Sequence, residues 1–128
     1  MLINLWLNPT NDDLLFDLPP VLFTEGQKIC VSRLFVEWTA SVKLTPLTLH
    51  STLIEKSPIN PYQQFLFAAP SQTNKRVFVF DYTPTHKNYY KIQCLDLESS
   101  EFELRDLNYN KITNIKRIFI QLEINERV

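Results

Sequence analysis

The segment near the carboxyl end sets the pattern for the whole chain. In Lys116-Arg117-Ile118-Phe119-Ile120-Gln121-Leu122-Glu123-Ile124, the residues Ile118, Ile120, Leu122 and Ile124 alternate with Arg117, Phe119, Gln121 and Glu123. Successive side chains of a strand point to opposite faces, so this alternation predicts a half-buried strand; on a helix the same residues would scatter around the axis. Ile3, Leu5 and Leu7 line one face of an opening strand, and Leu47, Leu49, Ser51 and Leu53 one face of LTLHSTLI. In KICVSRLFVEW the apolar set changes parity, from Ile29 and Val31 to Leu34, Val36 and Trp38, and a one-residue slip predicts a β-bulge near Ser32-Arg33. Runs at 65–69, 76–82, 89–97 and 101–104 bring the total to about eight strands, with 14–18 as a further edge piece. No window carries a convincing helical stripe clear of proline or β-branched crowding.

Between these runs the chain is broken by Asn8-Pro9, Pro19-Pro20, Glu25-Gly26-Gln27, Pro46, Pro58, Asn60-Pro61, Pro70 and Pro84, and by Asn108, Asn110 and Asn114. The pattern predicts an all-β fold, an antiparallel β-sandwich of about eight strands, with jelly-roll connectivity favoured over immunoglobulin-like. With 128 residues, 45% of them apolar and no linker or repeat, residues 1–128 read as one domain.

Composition then removes whole classes of function. Average usage would supply about nine glycines, and the chain has one, Gly26, against eight prolines. Phosphate-cradling loops, dinucleotide fingerprints and nucleophile elbows need glycine where the backbone nears a ligand or turns sharply, and Gly26 alone builds none of them. Asparagine also enters left-handed turn conformations, so the ten asparagines are expected to stand in for missing glycines.

Thirteen basic and fourteen acidic residues give a net charge of -1, and no run holds four like charges, so there is no electrostatic footprint for nucleic acid. Cys30 and Cys94 lie in apolar runs without metal-ligand spacing and are expected to be reduced core thiols. The opening MLINLWLNP lacks a basic lead and stops after seven residues, too short for a signal peptide or a membrane span. Synthesis in the cytosol or nucleus is the expectation.

Catalytic and metal chemistry finds little support in the residues. His50 alternates away from Leu49 and Leu53 and is expected to be a solvated strand histidine, and His86 follows Thr83-Pro84-Thr85 in an exposed loop. DLESSEFELRD lacks the order of a calcium loop. No catalytic, cofactor-binding or metal-binding residue is assigned, and the chain is expected not to be an enzyme. The aromatic residues carry more information. In VFVFDY both faces are apolar, so Phe78, Phe80 and Tyr82, together with Phe119 on the otherwise polar face of the last strand, are candidate interface residues. Trp6, Trp38, Tyr62, Tyr89 and Tyr90 are candidates for a second use, stacking on a carbohydrate or peptide ligand.

Three segments, LPPVLFTEGQKICVSRLFVEW (18–38), STLIEKSPINPYQQFLF (51–67) and KIQCLDLESSEFEL with NIKRIFIQLEI (91–124), resemble small β-rich virion proteins of Polinton-like and adintovirus-like DNA viruses. The Asn60-Pro61 step and the IQLEI strand are the most suggestive parts. The resemblance implies a non-enzymatic viral structural protein that is capsid-associated or forms a spike or fibre head. It also implies localisation to the virion, a homo-oligomer such as a trimer, other virion proteins as partners, and attachment to a receptor or glycan. It transfers no catalytic residue. A carbohydrate- or peptide-binding β-sandwich module is the alternative.

Overall fold

The structure is a computed structural model that describes residues 1–10, 13–43, 45–65, 76–106 and 108–125. The strands are β1 (Leu2–Leu7), β2 (Lys28–Lys43), β3 (Leu47–Ser51), β4 (Gln64–Phe65), β5 (Arg76–Tyr82), β6 (Tyr90–Lys91), β7 (Phe102–Asp106) and β8 (Ile115–Asn125), with one 3-10 turn at Leu97–Ser99. All pairings are antiparallel. The larger sheet has the order β1-β8-β2-β5, with β6 also on β2, and the smaller one the order β4-β3-β7. The fold class expected from the alternation is therefore the one observed: all-β, with two antiparallel sheets in a sandwich-like arrangement.

The interior follows from the register. Leu5, Ile120 and Leu34 lie in one cross-strand row of the larger sheet, and Leu7, Ile118 and Val36 in the next inward-facing row. With Leu49, Phe65, Phe102 and Leu104 of the smaller sheet they form one cluster, with Leu7 half-buried at its margin and the others removed from water by the facing layer. The expected bulge is present: the β2–β8 register shifts between Val31 and Arg33, and this keeps Ile29, Val31, Leu34, Val36 and Trp38 all turned inward. A second shift, between Glu37 and Val42, offsets β5 against β2.

The expected strands depart from the observed ones in three places. Residues 14–18 form no ladder, with Leu14 buried and Leu15 exposed. The run 89–97 keeps only β6, because the Asp96 carboxylate accepts from Glu98 N–H at 3.1 Å and Ser99 Oγ–H at 3.2 Å, capping the 3-10 turn instead of extending a strand. Of the run at 65–69, only Phe65 falls within the described residues.

Left-handed backbone occurs at Gly26 (φ 89°), Gln63 (φ 54°), Tyr109 (φ 65°) and Asn114 (φ 60°). Asn114 thus takes the role expected of asparagine, whereas in the neighbouring turn the residue is Tyr109 and not Asn108 or Asn110. There Asp106 Oδ1 accepts from both asparagine N–H groups, at 2.8 and 2.9 Å, and fixes the loop around Tyr109. Among the described residues no helix is long and apolar enough to cross a membrane.

Candidate functional site: the outer faces of the two sheets

The outer face of the larger sheet carries an aromatic row. Register places Trp6 (β1) opposite Phe119 (β8), Phe119 opposite Phe35 (β2), and Phe35 opposite Asp81 (β5). Trp6 lies on Phe119 with ring centroids 4.3 Å apart at 38°. The Arg33 guanidinium sits 5.6 Å from the Phe119 ring centre and is held by two bonds to Asp81, Nε–H to Oδ1 at 3.0 Å and Nη2–H to Oδ2 at 2.9 Å. A fork-to-fork pair of this kind fixes the plane of the guanidinium, so the cation stays over the ring.

The consequence is a reversal of the expectation for Phe119. It is 5% exposed, sealed under its neighbours, while Trp6 above it is 59% exposed. Phe119 shapes the surface, and Trp6 presents it. Arg33 and Phe35 were missed in the sequence. Their signal was present: Phe35 between Arg33 and Glu37 repeats on β2 the lone outward aromatic that Phe119 forms on β8.

At the other end of this face, Glu123 Oε2 accepts three donors: Lys87 Nζ at 2.7 Å, Tyr89 O–H at 3.3 Å and the Cys30 thiol at 3.7 Å. The hydrogen bond from Lys87 holds the Glu123 carboxyl below the usual carboxylate range, and the same bond raises the Lys87 ammonium. Burial, more than any other influence, raises both the Cys30 thiol and the Tyr89 phenol. A nucleophilic cysteine needs an accessible thiolate; Cys30 is buried and kept protonated, and it serves as a structural donor. Both cysteines are free thiols, Cys30 buried and Cys94 half-buried with its thiol donating to Asp96 O at 3.0 Å.

The outer face of the smaller sheet corrects the reading of His50, which is 6% exposed and not solvated. Tyr62 and Tyr109 cover it. His50 and Tyr109 meet edge to face at 5.1 Å, and Tyr62 lies 6.0 Å from Tyr109. Arg105 extends this surface, its guanidinium 4.4 Å from the Tyr109 ring centre and its Nη1–H donating to Tyr109 O at 2.9 Å. A carbonyl oxygen only accepts, so His50 donates through Nδ1 to Tyr62 O at 3.0 Å, while Nε2 lies 3.0 Å from Thr48 Oγ1. Both ring nitrogens are therefore engaged in the sheet. His86 is exposed, as its loop position predicts.

The remaining candidates separate by exposure. Phe78 is 57% exposed on the outer strand β5. Phe80 faces inward against Val36 and is buried, and Tyr82, stacked on it at 6.0 Å and 4°, is half-buried opposite Leu34. Both are thus drawn into the sandwich instead of offered to a partner, because the β2–β5 register places them in inward-facing rows. Trp38 is 4% exposed and unable to stack on a ligand. Tyr90 is half-buried, edge-on to Phe65 at 5.5 Å, and Tyr89 is half-buried and bonded to Glu123. Of the nine aromatic candidates, Trp6, Tyr62 and Phe78 are the ones substantially exposed.

The acidic run 96–106 serves its own loops, with Asp96 capping the 3-10 turn, Asp106 holding the Tyr109 turn and Glu103 paired with Arg105 at 2.9 Å. Among the described residues no three His, Cys, Asp or Glu side chains are grouped to hold a metal ion. Comparison with protein-family models, with curated proteins and with solved structures gives no match.

Proposed function

We propose that the chain is a non-enzymatic structural protein of the virion kind, capsid-associated or part of a spike or fibre head, that works by associating with further copies of itself through the outer face of the larger sheet. The observation that carries this reading is Trp6. A large, rigid aromatic stands 59% exposed on the outer face of the larger sheet, with Phe119 and the clamped Arg33 beneath it. Tryptophan and arginine at the centre of a patch, with polar groups around it, are the usual makings of an interface hot spot. Here Asn4, Gln121, Glu37 and Arg117 supply the polar surround, with Gln121 Nε2–H bonded to Asn4 Oδ1 at 3.0 Å and Arg117 Nε 3.3 Å from Glu37. The protonated, buried Cys30 and the fully engaged His50 support a non-enzymatic role.

Light scattering on the purified protein tests the proposal. The expected result is a mass that is a multiple of 15.1 kDa and that falls to the monomer in Trp6→Asp without loss of β-structure. A native protein that stays monomeric at high concentration would refute it. The second reading, a glycan-binding module, draws on Tyr62, exposed beside Tyr109 and Arg105 on the opposite face. A glycan array in which a defined sugar binds and Tyr62→Ala abolishes binding favours that module.

A further inference from the structure

β7 is an outer strand of the smaller sheet, and half of its outward edge receives no hydrogen bond from the described residues. On the inner side, Thr52 N–H donates to Glu101 O at 3.2 Å, whereas Ser51 N–H turns the other way, to Gln63 O at 3.1 Å. Antiparallel ladders alternate residue by residue, so Glu101, Glu103 and Arg105 direct their main-chain groups at β3, and Phe102, Leu104 and Asp106 direct theirs away. The far half of that outward edge is closed by Ile112 N–H to Leu104 O at 3.2 Å and Asp106 N–H to Asn110 O at 3.0 Å. In the near half, no hydrogen bond from a described residue outside the sheet reaches Phe102 N–H, Phe102 O or Leu104 N–H.

Phe102 and Leu104 line a cavity of about 490 Å3, a further wall of which is made by residues 13–16 and 18. Phe16 on that wall meets Phe102 edge to face at 5.8 Å. Main-chain donors and acceptors on a sheet edge are matched in position and spacing only by another extended chain. The cavity walls specify its side chains. Leu14, Phe16, Leu18, Phe102 and Leu104 make the inner side apolar, and Glu98, Glu101 and Glu103 make the outer side acidic. Asp13 is paired with Lys111 at 2.6 Å and Glu103 with Arg105, which leaves Glu98 and Glu101 without an ion-pair partner among the described residues.

We propose that this cleft binds an extended peptide segment of a partner protein, which joins the smaller sheet as a new strand along β7. The segment has apolar side chains at alternate positions, facing Phe102 and Leu104, and lysine or arginine at an intervening position, facing Glu101 and Glu98.

The test is amide hydrogen exchange on the full chain with three blocked pentapeptides: KVTVK, EVTVE, and KVTVK methylated at its valine and threonine amide nitrogens, which removes the central main-chain donors whichever set of them faces β7. KVTVK is expected to slow exchange at Phe102 and Leu104, the methylated peptide to lose the effect, and EVTVE to bind about threefold to tenfold more weakly, as two half-exposed ion pairs imply. The double variant E98K/E101K, which alters no main-chain group of the edge, is expected to reverse the order and prefer EVTVE. The proposal is overturned if none of the peptides protects these amides, or if methylation makes no difference. Protection already present in the dilute free protein also overturns it, since segment 13–18 would then have closed the edge itself. Protection that grows with protein concentration alone assigns the edge to a second copy and overturns it equally.

Discussion

Replacing Phe119 by alanine separates a covered outer face from an exposed one. Were Phe119 the solvent-facing residue that alternation suggests, Phe119→Ala would change stability by no more than about 0.5 kcal/mol. In the structure the ring is 5% exposed, between Trp6 at 4.3 Å and the Arg33 guanidinium at 5.6 Å. Burial of a phenylalanine is worth about 1.5–3 kcal/mol, and a tilted aromatic pair adds about 0.5–1.5. Water can refill the gap on an outer face, so no sealed cavity is left and the expected loss is about 2–3 kcal/mol. Unfolding entropy near 2.1 cal/mol/K per residue over 128 residues turns this into a drop in Tm of about 7–11 °C. Ile120→Ala is the comparison, because Ile120 is sealed between Leu5 and Leu34; with a cavity added, it should lose about 3–5 kcal/mol. Urea unfolding of Phe119→Ala, Trp6→Ala and the double variant completes a cycle, whose coupling should be about 0.5–1.5 kcal/mol. A loss below about 1 kcal/mol for Phe119→Ala, or zero coupling to Trp6, would refute the account of this face.

Two further outcomes concern the cluster around Glu123. Its folded-state pKa is lowered by the bond from Lys87, so its contribution to stability is present above the ordinary glutamate value of about 4.3 and lost as pH falls through the lower folded value. The raised Lys87 acts in the opposite sense: its contribution holds below the ordinary lysine value of about 10.4 and fades as pH rises through the folded value. Urea midpoints measured against pH should show both limbs in the native protein and shallower ones in Glu123→Gln; unchanged slopes would contradict the assignment. Thiol titration should find Cys94 reacting ahead of Cys30 in the folded state and both reacting at similar rates in guanidinium, because Cys30 is buried and Cys94 only half-buried; equal rates in the folded protein would count against the burial of Cys30.

Legibility in the sequence followed the distance over which a residue's environment is decided. The inward faces of β1, β2 and β8 could be read directly, because period-two alternation is a property of the segment itself, and even the bulge at Ser32-Arg33 left its mark as a change of parity. The outer faces could not be read in this way. Phe119 is covered by Trp6, more than a hundred positions away in the chain, and His50 by Tyr109 from a turn whose left-handed residue is neither glycine nor asparagine. Alternation assigns such residues to a face and says nothing about what lies on that face. The outer edge of β7 depends on the register of three strands and on where segment 13–18 runs, and neither is encoded locally.

β8 is the strand formed from residues 115–125, and it lies between β1 and β2, bonded to both. During synthesis β1 and β2 therefore emerge with no strand between them, and the larger sheet stays split until residues 115–125 have left the ribosome. Closing it requires pairing Leu2 with Glu123, a loop closure across about 120 residues, of the kind that makes β-proteins slow to fold. For that interval the facing edges of β1 and β2 are exposed to neighbouring nascent chains, a hazard that grows where many copies are made together. The same geometry offers a handle: a separately supplied peptide with the sequence of 115–125 competes for the vacant place and can be used to time the closing step.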